Sequence, residues 1–379
     1  MIVLEDGPNG GPALFHGAET VLVAHRGDEV ADLLAQLDAA RARGLWVAGW
    51  LGYEAGYAAE RRLAGLAPMP EGPLAVFGLF RGPEAADAVL ARAAEEGRGV
   101  ALAPAEPMIS RAEYDTAMAR VLGYIGAGDC YQINLTFPLQ TRLLRGTPLG
   151  LYGALRARQA VGHGAFVDLG AGPVVVSRSP ELFLRTTAVG RIEAKPMKGT
   201  RLRDADPVRD AELAQELRES PKDRAENLMI VDLLRNDISR VARIGSVKVP
   251  KLFAVESFAT VHQMVSTVVG DLVDAPSMAG LMAALFPCGS ITGAPKIRAM
   301  EIIREVEPHP RGVYCGAIGW MAPDGASSFN VAIRTLSLWA DGRVTLNVGG
   351  GVVQDSTATG EWEEALWKAR YIRGLTTPT

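Results

Sequence analysis

The sequence predicts an α+β fold rather than a doubly wound sheet, and three observations carry that reading. Residues 131–140 alternate strictly, with Tyr131, Ile133, Leu135, Phe137 and Leu139 on one face and Gln132, Asn134, Thr136 and Gln140 on the other, the period-2 signature of a strand. Helix starts are written at Ser110, Ser220 and Pro295 by capping and proline signals. Several strand-like runs follow one another without a helix between them, so βαβ units do not alternate along the chain.

The elements follow in order. Residues 1–80 mix short apolar runs with Gly and Pro, and 81–109 read as a helix plus a linker. Ser110 and Glu113 form a capping box, behind which Tyr114, Met118, Val121, Leu122 and Ile125 recur at helical spacing. After the alternating strand, 164–194 read as several short strands and 208–219 as a helix. Ser220-Pro221 opens another helix, with Asp223 near its cap. Strands are expected at 259–269, 313–321, 328–338 and 343–348, a helix from Pro295 to about Glu305, and a last helix near Gly360.

Composition narrows the function classes. The 379 residues are 48% hydrophobic and 22% charged, the profile of a globular protein with a sizeable core. A net charge of −4 with no Lys/Arg-rich run leaves no footprint for nucleic acid. Cys130, Cys288 and Cys315 lie far apart, which argues against a disulfide framework or a zinc site. Glu5 and Asp6 do not suit a signal peptide, and no apolar run approaches the roughly 20 residues of a membrane span. The expectation is a cytoplasmic protein acting away from membranes. Of 39 basic residues only seven are lysine, and Lys195, Lys198, Lys222, Lys296 and Lys368 fall in the segments discussed next. Lysine is irreplaceable where an amine must lose its proton, because arginine stays charged.

Two segments place carboxylates one helical turn apart: Asp223 with Glu226, and Glu361 with Glu364, the latter followed by Lys368. Facing each other, they would offer oxygen ligands to a hard cation such as magnesium; alternatively they are solvated helix starts favoured by the macrodipole. Gly349-Gly350-Gly351 and the run Ser290 to Pro295 read as glycine turns whose N–H groups could hold an anion, though tight turns alone explain them as well. Lys198 is a candidate nucleophile if burial or a neighbouring cation lowers its pKa. Glu181 is a candidate general acid if its surroundings raise its own. Unaided, this describes an α+β enzyme, magnesium-dependent if the acids converge, acting on an anionic small molecule.

Seven segments together resemble the chorismate-utilising enzymes, a family that includes anthranilate, aminodeoxychorismate, isochorismate and salicylate synthases. They are GDCYQINLT (128–136), SPELF (179–183), KPMKGTR (195–201), SPKDRAENLMIVDLLRND (220–237), GSITGAPKIRAME (289–301), RGVYCGAIGW (311–320) and GGGVVQDSTATGEWEEALWKA (349–369), in family order over roughly 106–375. The resemblance implies large antiparallel sheets packed as a sandwich with flanking helices. Residues 1–105 match it poorly and are expected to share one compact body with a catalytic region at 106–379.

Carried over residue by residue, the resemblance implies a Mg2+ site at Glu226 and Glu364 with Asp223 and Glu361 as neighbours, although Asp223 stands where many relatives have glutamate. Arg334, Tyr314, Lys368 and the turn Gly349, Gly350, Gly351 would hold the enolpyruvyl carboxylate of chorismate, and Arg334 is read on the non-apolar face of a strand with Asn330 and Ala332. Thr292, Gly293 and His262 would line the pocket. Two positions divide the family: P-x-K-G-T at Lys198 resembles the aminodeoxychorismate branch, and Gln132 replaces the water-activating lysine of isochorismate and salicylate synthases. This implies ammonia addition through a Lys198-bound intermediate, with Glu181 as acid, giving 4-amino-4-deoxychorismate for p-aminobenzoate and folate. Ammonia would come from a separate glutamine amidotransferase subunit, because no glutaminase triad is evident. The alternatives are anthranilate synthase component I and a non-catalytic chorismate-binding regulatory chain. The tryptophan-effector motif of relatives is represented only by Val3-Leu4-Glu5-Asp6, so tryptophan regulation is not carried over.

Overall fold

Two long strands, Gln132–Arg145 and Arg343–Val352, pair antiparallel over ten residues, from Arg142 opposite Arg343 to Ile133 opposite Val352. The computed structural model describes residues 1–68, 70–258 and 261–376, and among these the two strands form the spine of an 11-stranded sheet. Its neighbours run through Thr335–Leu338, Val174–Ser177 and Ala165–Val167 to Ile2–Leu4 and Ala13–Phe15. A second, 10-stranded sheet runs from Met197–Leu202 through Val261–Asp271, Arg191–Lys195, Leu182–Thr186, Ser327–Val331 and Ala317–Met321 to Trp46–Leu51, Ala75–Phe80 and Thr20–Ala24. The named pairings are all antiparallel, and residues 1–105 supply strands to both sheets. The fold is therefore α+β, as the pattern of elements predicts.

The sheets meet through a buried layer in which Ile2, Leu4 and Phe15 of one pack on Trp50, Val76, Phe80 and Ile318 of the other. Phe15 lies 5.4 Å from Phe80 between ring centroids, within the range of favourable aromatic contact. Helices cover the outer faces. The predicted capping box forms at Arg111–Gly126: Ser110 Oγ accepts from the Glu113 N–H at 3.2 Å, and Glu113 Oε2 accepts from the Ser110 N–H at 2.7 Å. Tyr114, Met118 and Val121 are buried there, and Leu122 and Ile125 pack partly against the core. Ser220 caps Pro221–Ser239, whose Ile230, Val231, Leu234 and Ile238 are buried. Near the C-terminal end the helix Ala358–Lys368, followed by the short helix Arg370–Arg373, stacks Trp362 on Phe137 with ring centroids 4.5 Å apart. No helix among the described residues is long and apolar enough to cross a membrane.

Five readings from the sequence change. The expected strand 328–338 is two strands in different sheets, Ser327–Val331 and Thr335–Leu338. Arg334 turns the chain between them with φ 50, so it does not share a strand face with Asn330. Gly349, Gly350 and Gly351 are strand residues opposite Thr136, Leu135 and Asn134, not a turn. The expected strand 313–321 starts only at Ala317, and Tyr314 precedes it in a turn. Tyr131 lies just before its strand, 68% exposed, because there the backbone N–H bonds Ala294 and the side chain has no facing layer. Part of the expected strand 259–269 (Ala259 and Thr260) lies outside the described residues; the remainder is found in Val261–Asp271.

Candidate active site

Two chain segments change sheet side by side, and each delivers one functional side chain. Residues 178–181 leave the first sheet after Ser177 and enter the second at Leu182; residues 332–334 make the reverse passage. The passages bond each other, Arg178 N–H to Arg334 O at 2.9 Å and Val331 N–H to Glu181 O at 3.1 Å. Glu181 and Arg334 are thereby fixed on backbone tied at both ends, where the sheets part. A cavity of about 630 Å³ opens at that point, lined by both and by Lys198, Tyr314, Ser290 and Asn134. Its size suits a small organic substrate.

Lys198 projects from the strand Met197–Leu202, paired with Met264 of Val261–Asp271. It touches the open space of the cavity and so is only part-buried by surface, yet protein packs densely around its amine. Desolvation is the main force lowering its pKa, and Lys368 adds to it, against the opposing pull of Glu226, Glu181 and Glu364. Glu181 is 4% exposed, and desolvation pushes its pKa up to about 7 although Ser290, Lys198 and Arg334 favour the anion. Its Oε1 is buried without a hydrogen-bond partner. The cavity thus holds an amine biased toward neutrality and a carboxyl biased toward protonation, the protonation states that a nucleophile and an acid would need. Arg334 is offset by Glu181 and Tyr371, with burial working against its charge.

The glycines make room. A methyl group on Gly349 would fall 2.2 Å from the Leu135 carbonyl, which backbone cannot yield. One on Gly351 would lie 3.0 Å from both Lys198 Nζ and Gln132 Nε2, and one on Gly350 would lie 2.9 Å from Glu361 Oε2 and 3.7 Å from Glu364 Oε1. Lys368 donates to the Gly349 carbonyl at 2.8 Å.

Asp223, Glu226, Glu361 and Glu364 all line the cavity, as their spacing at two helix starts suggests. Each is matched to its own neighbour: Asp223 to Arg201 at 3.0 Å, Glu226 to Lys222 at 3.9 Å, Glu361 to Ser356 at 2.7 Å and Glu364 to Lys368 at 2.8 Å. Among the described residues no three His, Cys, Asp or Glu side chains converge on one metal position. Desolvation raises the Glu226 pKa, helped by Asp223 and Glu361; for Glu364 desolvation pushes the same way, but Lys368, Lys198 and Lys222 together outweigh it and lower the pKa. The donor set nevertheless fits magnesium, a hard cation that takes one or two carboxylates and keeps its waters, because Glu361 and Glu364 flank the space left open by Gly350.

Other expected residues stand back from the cavity. His262 is 2% exposed and clamped between Ser257 Oγ at 2.8 Å and Asp210 Oδ1 at 2.9 Å, so it braces the helix Pro207–Glu219 rather than facing substrate. Alternation explains this: its neighbour Gln263 takes the cavity side. Thr292 bonds the carbonyls of Cys288 and Gly289, and Gly293, at φ 143, lies against the Gln132 carbonyl; both form the wall behind the lining. Gln132 is fully buried beside Gly351, both ends of its amide without a partner. Sequence reasoning missed Tyr371 and Asn347, which also line the cavity. Tyr371 extends the spacing of Glu361, Glu364 and Lys368 by three residues, a signal that was available. Glu5 and Asp6 are occupied by Arg178 and by Arg185, His163 and Ser328.

A two-sheet sandwich with this cleft is a known architecture. The crystal structure of anthranilate synthase component I from Streptococcus pneumoniae TIGR4 superposes with a TM-score of 0.80 at 26% identity, covering 94% of this chain and 91% of that one. The chain belongs to the chorismate binding enzyme family, whose profile matches residues 2–374. It is 46% identical over 264 residues to aminodeoxychorismate synthase component 1 of Klebsiella aerogenes, covering 70% of this chain and 58% of that protein. It is 43% identical over 263 residues to anthranilate synthase component 1 of Streptomyces coelicolor, covering 69% and 51% respectively. The aligned region thus spans little more than half the length of these curated relatives.

Proposed function

We propose that the chain aminates chorismate with ammonia to give 4-amino-4-deoxychorismate, in a magnesium-dependent reaction passing through a covalent adduct on Lys198. The observation that carries the reading is the opposed pair in one cavity, a cavity-lining lysine with a lowered pKa and a buried glutamic acid pushed up to about 7. Lys198 Nζ attacks the ring carbon next to the carboxylate-bearing one, the ring double bond shifts, and the 4-hydroxyl departs as water with the Glu181 proton. Ammonia adds at the vacated carbon, the double bond shifts back, and Lys198 leaves. One excess proton from the nitrogens returns to Glu181, so the balance is chorismate plus ammonia to product plus water. Arg334, Tyr314 and Lys368 supply donors for the enolpyruvyl carboxylate at the cavity wall. Glu226 and Glu364, with Asp223 and Glu361 beside them, would hold magnesium. Bound there, the ion would anchor the ring carboxylate and spread its charge.

The ammonia source in this reading is a separate glutamine amidotransferase subunit, and the product feeds p-aminobenzoate and folate synthesis. Anthranilate formation is the second reading, favoured by the 43% identity to a protein of that name. Incubating the chain with chorismate, magnesium and ammonium, with and without an added lyase, separates them. Fluorescent anthranilate without the lyase contradicts our reading; a non-fluorescent amino product that the lyase converts to p-aminobenzoate supports it.

A further inference from the structure

Tyr314 reaches the cavity from residues 307–316, a stretch without helix or strand between the helix Lys296–Val306 and the strand Ala317–Met321. Gly312 at φ 60 and Cys315 at φ 63 stand on either side of the tyrosine in the left-handed region. A non-glycine residue such as Cys315 keeps that conformation only where its surroundings impose it. On the C-terminal side the constraint is the chain passage that carries Arg334. Cys315 N–H donates to the Ala332 carbonyl at 3.0 Å, and Ala332 N–H donates to the Gly316 carbonyl at 2.9 Å.

On the N-terminal side the constraint comes from residues 1–105. Glu54 follows the strand Trp46–Leu51 and is 2% exposed. Its carboxylate accepts from two successive backbone groups, Arg311 N–H on Oε1 at 2.7 Å and Gly312 N–H on Oε2 at 3.0 Å. Tyr53 N–H bonds the Gly312 carbonyl at 2.8 Å, so the two segments hold each other in both directions. Two neighbouring donors that converge on one side chain need two acceptor atoms. A carboxylate supplies both, whereas an amide supplies one acceptor and one further donor. Burial works against the charge: desolvation pushes the Glu54 pKa up to about 7, opposed by those two bonds and by Arg311.

We infer that Glu54 is a positioning residue for the substrate site, setting the place of Tyr314 at the cavity wall by clamping Arg311 and Gly312. Glu54 itself does not line the cavity, so it acts on substrate only through the tyrosine. The inference rests on the reading that Tyr314 holds the enolpyruvyl carboxylate, and it gives the N-terminal region a part in chorismate binding.

The experiment is a double-mutant cycle of Glu54→Gln and Tyr314→Phe, read as chorismate consumption by the purified chain with magnesium and ammonium chloride at about pH 8, alongside thermal unfolding of each variant. Glutamine keeps the shape of the side chain but turns an NH2 group toward one of the two N–H donors. Glu54→Gln should raise the chorismate KM about tenfold, the scale of one weakened hydrogen bond to a charged group, with kcat unchanged within about twofold. In the Tyr314→Phe background the same substitution should add less than about twofold, because the group it acts through is gone. A purely structural role would instead lower the melting temperature and the active fraction, and leave the KM where it was. Glu54→Asp, which keeps the charge but is one carbon shorter, takes the same place in the cycle should the glutamine variant fail to fold. A folded Glu54 variant with the wild-type KM, or an equal effect with and without the Tyr314 hydroxyl, overturns the inference and leaves the amination reading intact. A Tyr314→Phe variant that itself keeps the wild-type KM removes Tyr314 from substrate binding and overturns the inference together with that part of the reading.

Discussion

Replacing Glu181 by glutamine removes a proton donor while keeping the shape of the side chain. The carboxyl is 4% exposed and its pKa is pushed from 4.5 to about 7, a preference for the protonated form of about 3 kcal/mol. As an acid it works only when protonated, so the active fraction is about half at pH 7 and falls about tenfold per unit above it. The slope of log kcat/KM for chorismate against pH should therefore drop by one unit near pH 7, on top of the rise that deprotonation of Lys198 contributes. Glu181→Gln should lower the rate by about 10²- to 10⁴-fold, the usual contribution of a positioned acid, and abolish that bend. Rates measured from pH 5.5 to 9 under saturating ammonia, with far-ultraviolet circular dichroism as a fold control, provide the assay. A variant that retains wild-type turnover, or that keeps the bend near pH 7, refutes the assignment of Glu181 as the acid.

Three further outcomes are expected. Glu226→Gln and Glu364→Gln should each lose magnesium-dependent turnover while melting as the wild type does; full activity in both removes the proposed metal site. The isolated chain should use ammonium and not glutamine, since no glutaminase triad is evident, and glutamine-driven turnover by the highly purified chain contradicts this. Arg311 and Glu307 pair at 2.7 Å with side chains 1% and 5% exposed, and Arg311 also donates to the Ile291 and Asn134 carbonyls behind the cavity. Glu307→Ala strands that buried cation and should cost about 3–5 kcal/mol in urea unfolding; a loss below about 1 kcal/mol would show that the guanidinium finds other compensation.

The parts of the fold legible in the sequence are those where local physics decides. The capping box at Ser110 and Glu113, the proline start at Pro221 and the alternation of Ile133, Leu135, Phe137 and Leu139 each act within a few residues, and the structure carries all three. The four acids also arrive in the cavity, because i, i+3 spacing on a helix survives any tertiary arrangement. What failed depends on distant partners. The run 328–338 is continuously strand-like, and only the parting of the two sheets breaks it at Arg334, a non-glycine residue at positive φ with no local warning. Three successive glycines look like a turn until a facing strand is in place, when their missing side chains become clearance for Leu135, Lys198 and Glu361. His262 and Gln263 are adjacent in a strand, so one faces the cavity and the other does not. Residue type alone favoured the wrong one.

The central claim is that the neutral amine of Lys198 forms a bond to the substrate, and turnover by Lys198→Arg tests it most directly. Arginine keeps the positive charge and reaches a similar distance, but it cannot supply a neutral amine near pH 7. The account predicts that Lys198→Arg is nearly as inactive as Lys198→Ala, orders of magnitude below the wild type, while both still bind chorismate. Near-wild-type amination by Lys198→Arg would show that the residue acts through charge alone, and the covalent mechanism would have to be abandoned.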